Sequence, residues 1–322
     1  MNQLKKWLSV QDQIALLRQR GMHVSIDGSA EQLLSTIAYY RLSGYWYLYR
    51  QPDPDGQGRR LSRFVAGATL SDVKDLYDFD RRLKLLILSG IERIEVALRA
   101  RLGHILGSHG ALCYEDALTF RPTFLHADWL NLAHQRVARA RRRNDEVVLH
   151  HDAHYGGLIP IWVLTDMLDF ADLSKLYQAM FAEDQRQIDQ YFNVTPSPDA
   201  SRSSNRRWAS NPPLANWLEN LTVVRNICAH HGRLWNRQLP PVGTSPRVRH
   251  LGVFDDIPES LHQVERVHGT ISIITHLMKT IAPQSGWSAE VDSLITNTFT
   301  KLPGRSTDEM LMSLRQRENM SR

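Results

Sequence analysis

Only two cysteines occur in the 322 residues, Cys113 and Cys228, and neither stands in C-x-x-C spacing. That excludes a disulfide framework and points to a reducing compartment. No apolar run approaches the roughly 20 residues that a membrane-spanning helix needs, the longest lying around Leu85 to Leu88. The N-terminus leads into an amphipathic pattern and not a signal sequence. No glycine-rich phosphate loop, no internal repeat and almost no alternating strand pattern appears. These absences leave a cytoplasmic protein without a membrane segment, built of helices, as the expectation.

Hydrophobic residues make up 42%, enough for a sizeable core. The formal charge is +5 and arginine supplies most of the positive side. Such a balance is permissive for nucleic acid, and guanidinium groups suit bidentate phosphate contacts.

Helical periods follow one another along the chain. Residues 8 to 21 read as a short helix, and a second begins near Ser29 and runs into the aromatic stretch Tyr39 to Tyr49. That cluster is read as core packing around a turn at Gly44, with base stacking as the alternative. Residues 51 to 60 read as a loop. A long helix is expected from Ser71 to about Leu106, with Gly90 a point for a kink or break. Glu95 and Arg99 form an i, i+4 pair on it, either as part of a bundle surface or as lining of a cleft. A helix carrying Arg136, Arg139 and Arg143 on one face is a phosphate-tracking patch or, preferably, a solvated face. His150 and His154 are also i, i+4, but Glu is missing from the second position of an H-E-x-x-H motif, so no metal site is assigned. One helix is expected from Pro160 to Met180, a polar loop of low order over 195–207, and later helices at 260–281, 288–298 and 307–316. The loop leads into the next helix, where it suits a flexible cover.

That next helix organises the rest. It should start at Asn211-Pro212-Pro213 and run to Arg237, before Pro240-Pro241. On a wheel of about 100° per residue, Trp217, Leu221, Val224, Cys228 and Trp235 share one stripe. Thr222, Asn226, His230, Arg233 and Arg237 share the opposite one. A wide apolar surface predicts that the helix is mostly buried, so its polar groups should line a cleft. Asn226 and His230 are one turn apart, which makes His230 the candidate for chemistry and His231 a supporting residue.

The segment Arg225-Asn226-Ile227-Cys228-Ala229-His230 resembles the R-x4-6-H motif of the HEPN superfamily of RNases. The bare spacing recurs elsewhere in the chain. The specific features are the Asn after the Arg and the following His-Gly-Arg-Leu-Trp-Asn-Arg, which resembles the signature of Abi-like proteins of the AbiD/AbiF type. Tyr-Tyr-Arg-Leu-Ser-Gly-Tyr and Ile-Glu-Arg-Ile-Glu-Val-Ala-Leu-Arg-Ala carry the same likeness. The resemblance implies an all-α, HEPN-like helical bundle over residues 1–245, with a C-terminal helical extension over 246–322 packed on it. It also implies an endoribonuclease acting in phage defence, needing neither metal nor cofactor. Arg225, Asn226 and His230 would be catalytic, with Arg233, Arg237, Arg136, Arg139 and Arg143 on RNA and His231, Glu95 and Arg99 as secondary candidates. RNA is the implied partner, a homodimer the implied assembly, and a toxin role leaves room for an antitoxin of RNA or protein. A non-catalytic RNA-binding or adaptor module is the alternative.

Overall fold

A computed structural model describes residues 6–54, 59–244, 246–255, 257 and 263–305. The chain is all-α, apart from two short antiparallel strand pairs among the described residues. It resolves into two compact units, one running to Lys84 and resuming at Val291, the other Leu85–Glu290.

The first unit opens with α1 (Val10–Gln19), capped by the Ser9 hydroxyl accepting from Asp12 N. Then come α2 (Ser29–Ile37) and α3 (Tyr39–Trp46). The break between them falls at Ala38, whose φ of 68° no helix continues. Gly44 is therefore inside α3 and not in a turn. Leu42, Tyr45, Trp46 and Tyr49 are buried, whereas Tyr40 is 88% exposed. Strands β1 (Arg50–Pro52) and β2 (Arg60–Phe64) pair antiparallel, so the segment expected to be turn or loop begins and ends in strand at Gln51, Pro52 and Arg60, while Asp53, Pro54 and Arg59 lie outside the strands. Tyr45 Oη donates to the buried Asp80 at 2.7 Å, and Lys84 pairs with the same carboxylate at 3.2 Å.

Helix α4 (Leu70–Gly107) is continuous through 38 residues. Gly90 does not break it. A Cβ there would lie 2.6 Å from Ile274 Cγ2 and 3.0 Å from the Trp287 ring, so glycine permits close approach of neighbouring segments. The second unit continues through α5 (His126–Arg142), α6 (Glu146–His154), α7 (Ile161–Met167) and α8 (Phe170–Ala179). The single helix expected from Pro160 is thus two. Asp169 and Asp172 form a reciprocal capping box that restarts the chain as α8.

Next are α9 (Ala182–Tyr191), α10 (Arg202–Ser210) and α11 (Pro213–Ala229). Residues 202–207 of the expected 195–207 loop are therefore helical, started by the Ser201 hydroxyl accepting from Ser204 N and anchored by buried Trp208, while 195–201 stay irregular. Strand β3 (Val242–Gly243), α12 (Pro246–Arg249) and β4 (Gln263–Val264) lead to α13 (Val267–Ile281) and α14 (Trp287–Asn297). The helix expected at 307–316 lies outside the described residues. α8 and α13 pack against α11, which is central to this unit. None of the described helices is long and apolar enough to cross a membrane.

Candidate functional site

Pro213 opens α11 at its first turn, where a missing N–H costs nothing. Leu214, Trp217, Leu218, Leu221, Val224, Ile227 and Cys228 are buried at helical spacing. Trp217 is held edge-on by Phe254 at 6.1 Å and His276 at 5.7 Å. Burial pushes the His276 imidazole below its ordinary value, and its Nε2 donates to Asn193 O at 3.1 Å.

The helix ends eight residues earlier than the wheel assumes. His230 is its C-cap, and His231 follows at φ 57°, a left-handed conformation usually left to glycine. His231 N donates to Cys228 O at 3.1 Å and Gly232 N to Ile227 O at 2.8 Å. Those two bonds are the Schellman pattern, and they satisfy carbonyls that a helix end otherwise leaves open. Gly232 serves a different purpose: a Cβ on it would meet Ile227 Cγ2 at 3.2 Å, Ile227 O at 3.3 Å and Arg237 Nη1 at 3.4 Å.

Beyond the stop, the chain turns back along α11. Leu234 and Trp235 are buried, Asn236 takes φ 50°, and Arg237 N closes a turn on Leu234 O. Two asparagines of α11, one turn apart, then hold the returning segment. Asn220 Nδ2 donates to Pro240 O at 2.8 Å and Asn216 Nδ2 to Pro241 O at 3.0 Å. Thr270 Oγ1 donates to Asn220 Oδ1 at 2.8 Å, so this buried amide also ties α11 to α13.

Asn226 and His230 stay one turn apart, joined by the backbone bond from His230 N to Asn226 O at 3.0 Å. Arg225 is half-buried, and its Nη1 lies 3.4 Å from Asn226 Oδ1. Asn226, His230 and His231 are exposed, not sunk in a cleft as the wheel implies. The early stop also removes the basis for ranking His231 by its angle, because His231 is no longer on a helix. Arg233 is half-buried, and Arg237 is exposed with its guanidinium folded back to the helix end. A cation suits that end, where the helix dipole is negative.

The remaining candidates lie on other elements. Arg136 is turned inward from α5: it pairs with Asp169 and donates from Nε to buried Asp172 at 3.0 Å. Arg139 and Arg143 are exposed at the end of α5. Arg99 pairs with Glu95 and donates to the carbonyls of Asp166 and Leu168, thereby binding α4 to the junction of α7 and α8. Of the histidine cluster, rings 150 and 154 stand 4.7 Å apart, while Asp152 is engaged by Arg141 through two bonds. Among the described residues, no three His, Cys, Asp or Glu side chains group as a metal shell.

Sequence reasoning passed over a buried polar cluster in α8–α10. Tyr177 donates to Asp189, Gln185 Nε2 to Tyr177 O at 2.7 Å, and Arg121 to Gln185 and Ala209 O. Burial raises the Asp189 carboxyl from 3.8 to about 7, although the Tyr177 and Trp208 donors and Arg186 favour its charged form. The same burial holds the Tyr177 phenol well above its ordinary value. The signal was legible in Asp184-Gln185-Arg186-Gln187-Ile188-Asp189: only Ile188 is apolar there, so a packed helix must bury polar groups on the same side.

Neither a curated protein nor a solved structure matches the chain. The sequence model of the Abi-like protein family matches residues 32–236, well over half the chain, from α2 through the Schellman turn to Asn236. By that match, the chain belongs to the family of Abi-like proteins.

Proposed function

We propose that this protein is a metal-independent endoribonuclease of HEPN type, of the AbiD/AbiF kind, acting in phage defence. Family membership supports the defence role. The observation that carries the chemistry is the last turn of α11, which presents Asn226 and His230 one turn apart with Arg225 beside Asn226. RNA contains its own nucleophile, the 2′-hydroxyl. Attack on the adjacent phosphorus breaks the bond to the 5′-oxygen, leaving a 2′,3′-cyclic phosphate and a 5′-hydroxyl. His230 transfers a proton as general base or acid. Arg225 neutralises the phosphorane oxygens. Asn226 orients either group, and Arg233 and Arg237 bind flanking phosphates.

An exposed site offers one face to a phosphate, whereas in-line transfer needs base and acid on opposite sides. Two copies meeting about a two-fold axis near His230 would supply both faces, so the working unit is a homodimer. The exposure also favours a second reading, an RNA-binding or adaptor surface without chemistry.

End-group analysis of RNA incubated with the protein in EDTA separates these readings. Cleavage with cyclic phosphate ends is expected, reduced on the order of 100-fold by Arg225→Ala or His230→Ala. Specific activity should fall as the dimer is diluted apart. RNA binding without cleavage, where a control RNase works, would establish the adaptor instead.

A further inference from the structure

At the start of α11 lies a cavity of about 380 Å³, within the range of small-ligand sites (about 300–1,000 Å³). Gln178 of α8, Asn211, Asn216 of α11 and Arg247 of α12 supply polar groups to its wall. Arg247 is half-buried. Its Nη1 donates to Arg207 O at 3.3 Å and its Nη2 to Asn211 O at 3.4 Å. These long bonds hold the guanidinium against the end of α10 and bring it only neutral acceptors. The exposed side chain of Arg207 adds a second positive charge close by. Burial, and then that charge, push the Arg247 guanidinium below its ordinary value. Among the described residues, no carboxylate pairs with either guanidinium. Elsewhere the chain does supply one: Arg99 meets Glu95, Arg136 meets Asp169 and Asp172, and Arg141 meets Asp152. Two cations held together, one of them partly desolvated, are unfavourable until an anion joins them.

The surrounding sequence adds to the charge. No Asp or Glu occurs from Ala200 to Leu218, while Arg202 and Arg206 stand exposed on α10. Glu219 does line the cavity, but nearly two turns beyond Pro213, roughly 9 Å along the helix axis. The Arg247 end is therefore the end for an anion, and guanidinium groups take phosphate oxygens in pairs. We propose that Arg207 and Arg247 together bind a phosphate group at this end of the cavity. Gln178 is shared with a second cavity of about 490 Å³, whose wall includes Phe124, Leu132 and Lys175. Apolar and aromatic space beside cations suits the base that a nucleotide phosphate carries. Arg225 and His230 stand at the other end of α11, whose 17 residues span roughly 25 Å, so this inference does not rest on the nuclease reading.

Such a phosphate comes either on a free nucleotide or within an RNA strand. Titration calorimetry on the full chain with uridine and guanosine 5′-monophosphates tests the first, each nucleoside serving as the phosphate-free control. Fluorescence anisotropy with a labelled 2′-O-methyluridine dodecamer, which lacks the nucleophile for cleavage, tests the second. At least one phosphate-bearing probe should bind. Its affinity should fall about tenfold in Arg207→Ala and in Arg247→Ala, as loss of a charge-assisted hydrogen bond implies. Arg63→Ala removes an exposed charge from the first unit and should change nothing. Loss of a nucleotide in both variants, where its nucleoside never bound as tightly, assigns the site to free nucleotides. Loss confined to the dodecamer, with a slope of log affinity against log salt shallower by about 0.7, assigns it to a phosphate within a strand. Arg207 is exposed, so its variant tests the site even where Arg247→Ala fails to fold. Binding of no probe overturns the proposal. So does a bound probe that Arg207→Ala weakens no more than Arg63→Ala.

Discussion

Asp189→Asn should make the protein more stable at alkaline pH and leave it nearly unchanged in acid. An unfolded aspartate gives up its proton near 3.8, whereas the folded Asp189 keeps it until about 7. Between those values the native state binds one more proton than the unfolded state. Stability therefore falls as pH rises, by about 1.4 kcal/mol per pH unit, and is flat outside that window. The whole interval amounts to about 4 kcal/mol. Asparagine keeps the acceptor for Tyr177 and cannot ionise, so the variant escapes this loss. Against that, its amide donors meet the Trp208 N–H, which costs about 1 kcal/mol. Near pH 4 the variant should be equal to the native protein or about 1 kcal/mol less stable, and near pH 8 about 3 kcal/mol more stable. Urea unfolding followed by tryptophan fluorescence at half-unit steps measures the difference, in which titrations common to both proteins cancel. A gap that is the same at pH 5 and pH 8 would refute the reasoning.

Gly90→Ala should lower the midpoint of thermal unfolding, because the added methyl meets Ile274 and Trp287; a loss of about 1–3 kcal/mol is expected despite alanine's better helix propensity. An unchanged midpoint would mean that the close approach is absent. Arg136→Ala should cost about 2–3 kcal/mol in denaturant unfolding, since it leaves the Asp172 carboxylate, 3% exposed, without its cation; a loss under about 0.5 kcal/mol would return Arg136 to the list of RNA contacts. His231→Gly should raise stability by about 1 kcal/mol by relieving a left-handed residue, and a drop would show that the histidine side chain compensates for its own backbone.

The buried stripe of α11 was legible because Trp217, Leu221, Val224 and Cys228 repeat at helical spacing. Its end was not. Glycine normally takes the left-handed cap, yet here His231 does and Gly232 follows it. Residue type alone therefore gave no stop at His231, and the wheel ran on through Trp235. Gly90 shows the converse error, a glycine read as a breaker where tertiary packing needs its missing side chain. Composition marked 195–207 as loop, because a serine cap and one tryptophan anchor are too few to register as periodicity. The inward turn of Arg136 and the burial of Asp189 depend on partners from other helices, which no local window contains.

The asparagine hooks have a further consequence for chain length. Asn220 and the carbonyl of Pro240 stand 20 residues apart in sequence and are fastened together, with Asn216 and Pro241 fastened beside them. The last turns of α11, the left-handed stop and the returning segment thus form a closed ring of fixed circumference. Surface connections usually absorb insertions at small entropic cost. This one has less freedom, because a residue added or deleted between His231 and Arg237 has to be absorbed inside the ring or strain the two amide contacts that close it. The ring works as a ruler: the spacing of the arginines around His230 is set by amides at the far side of the loop, well before the motif begins.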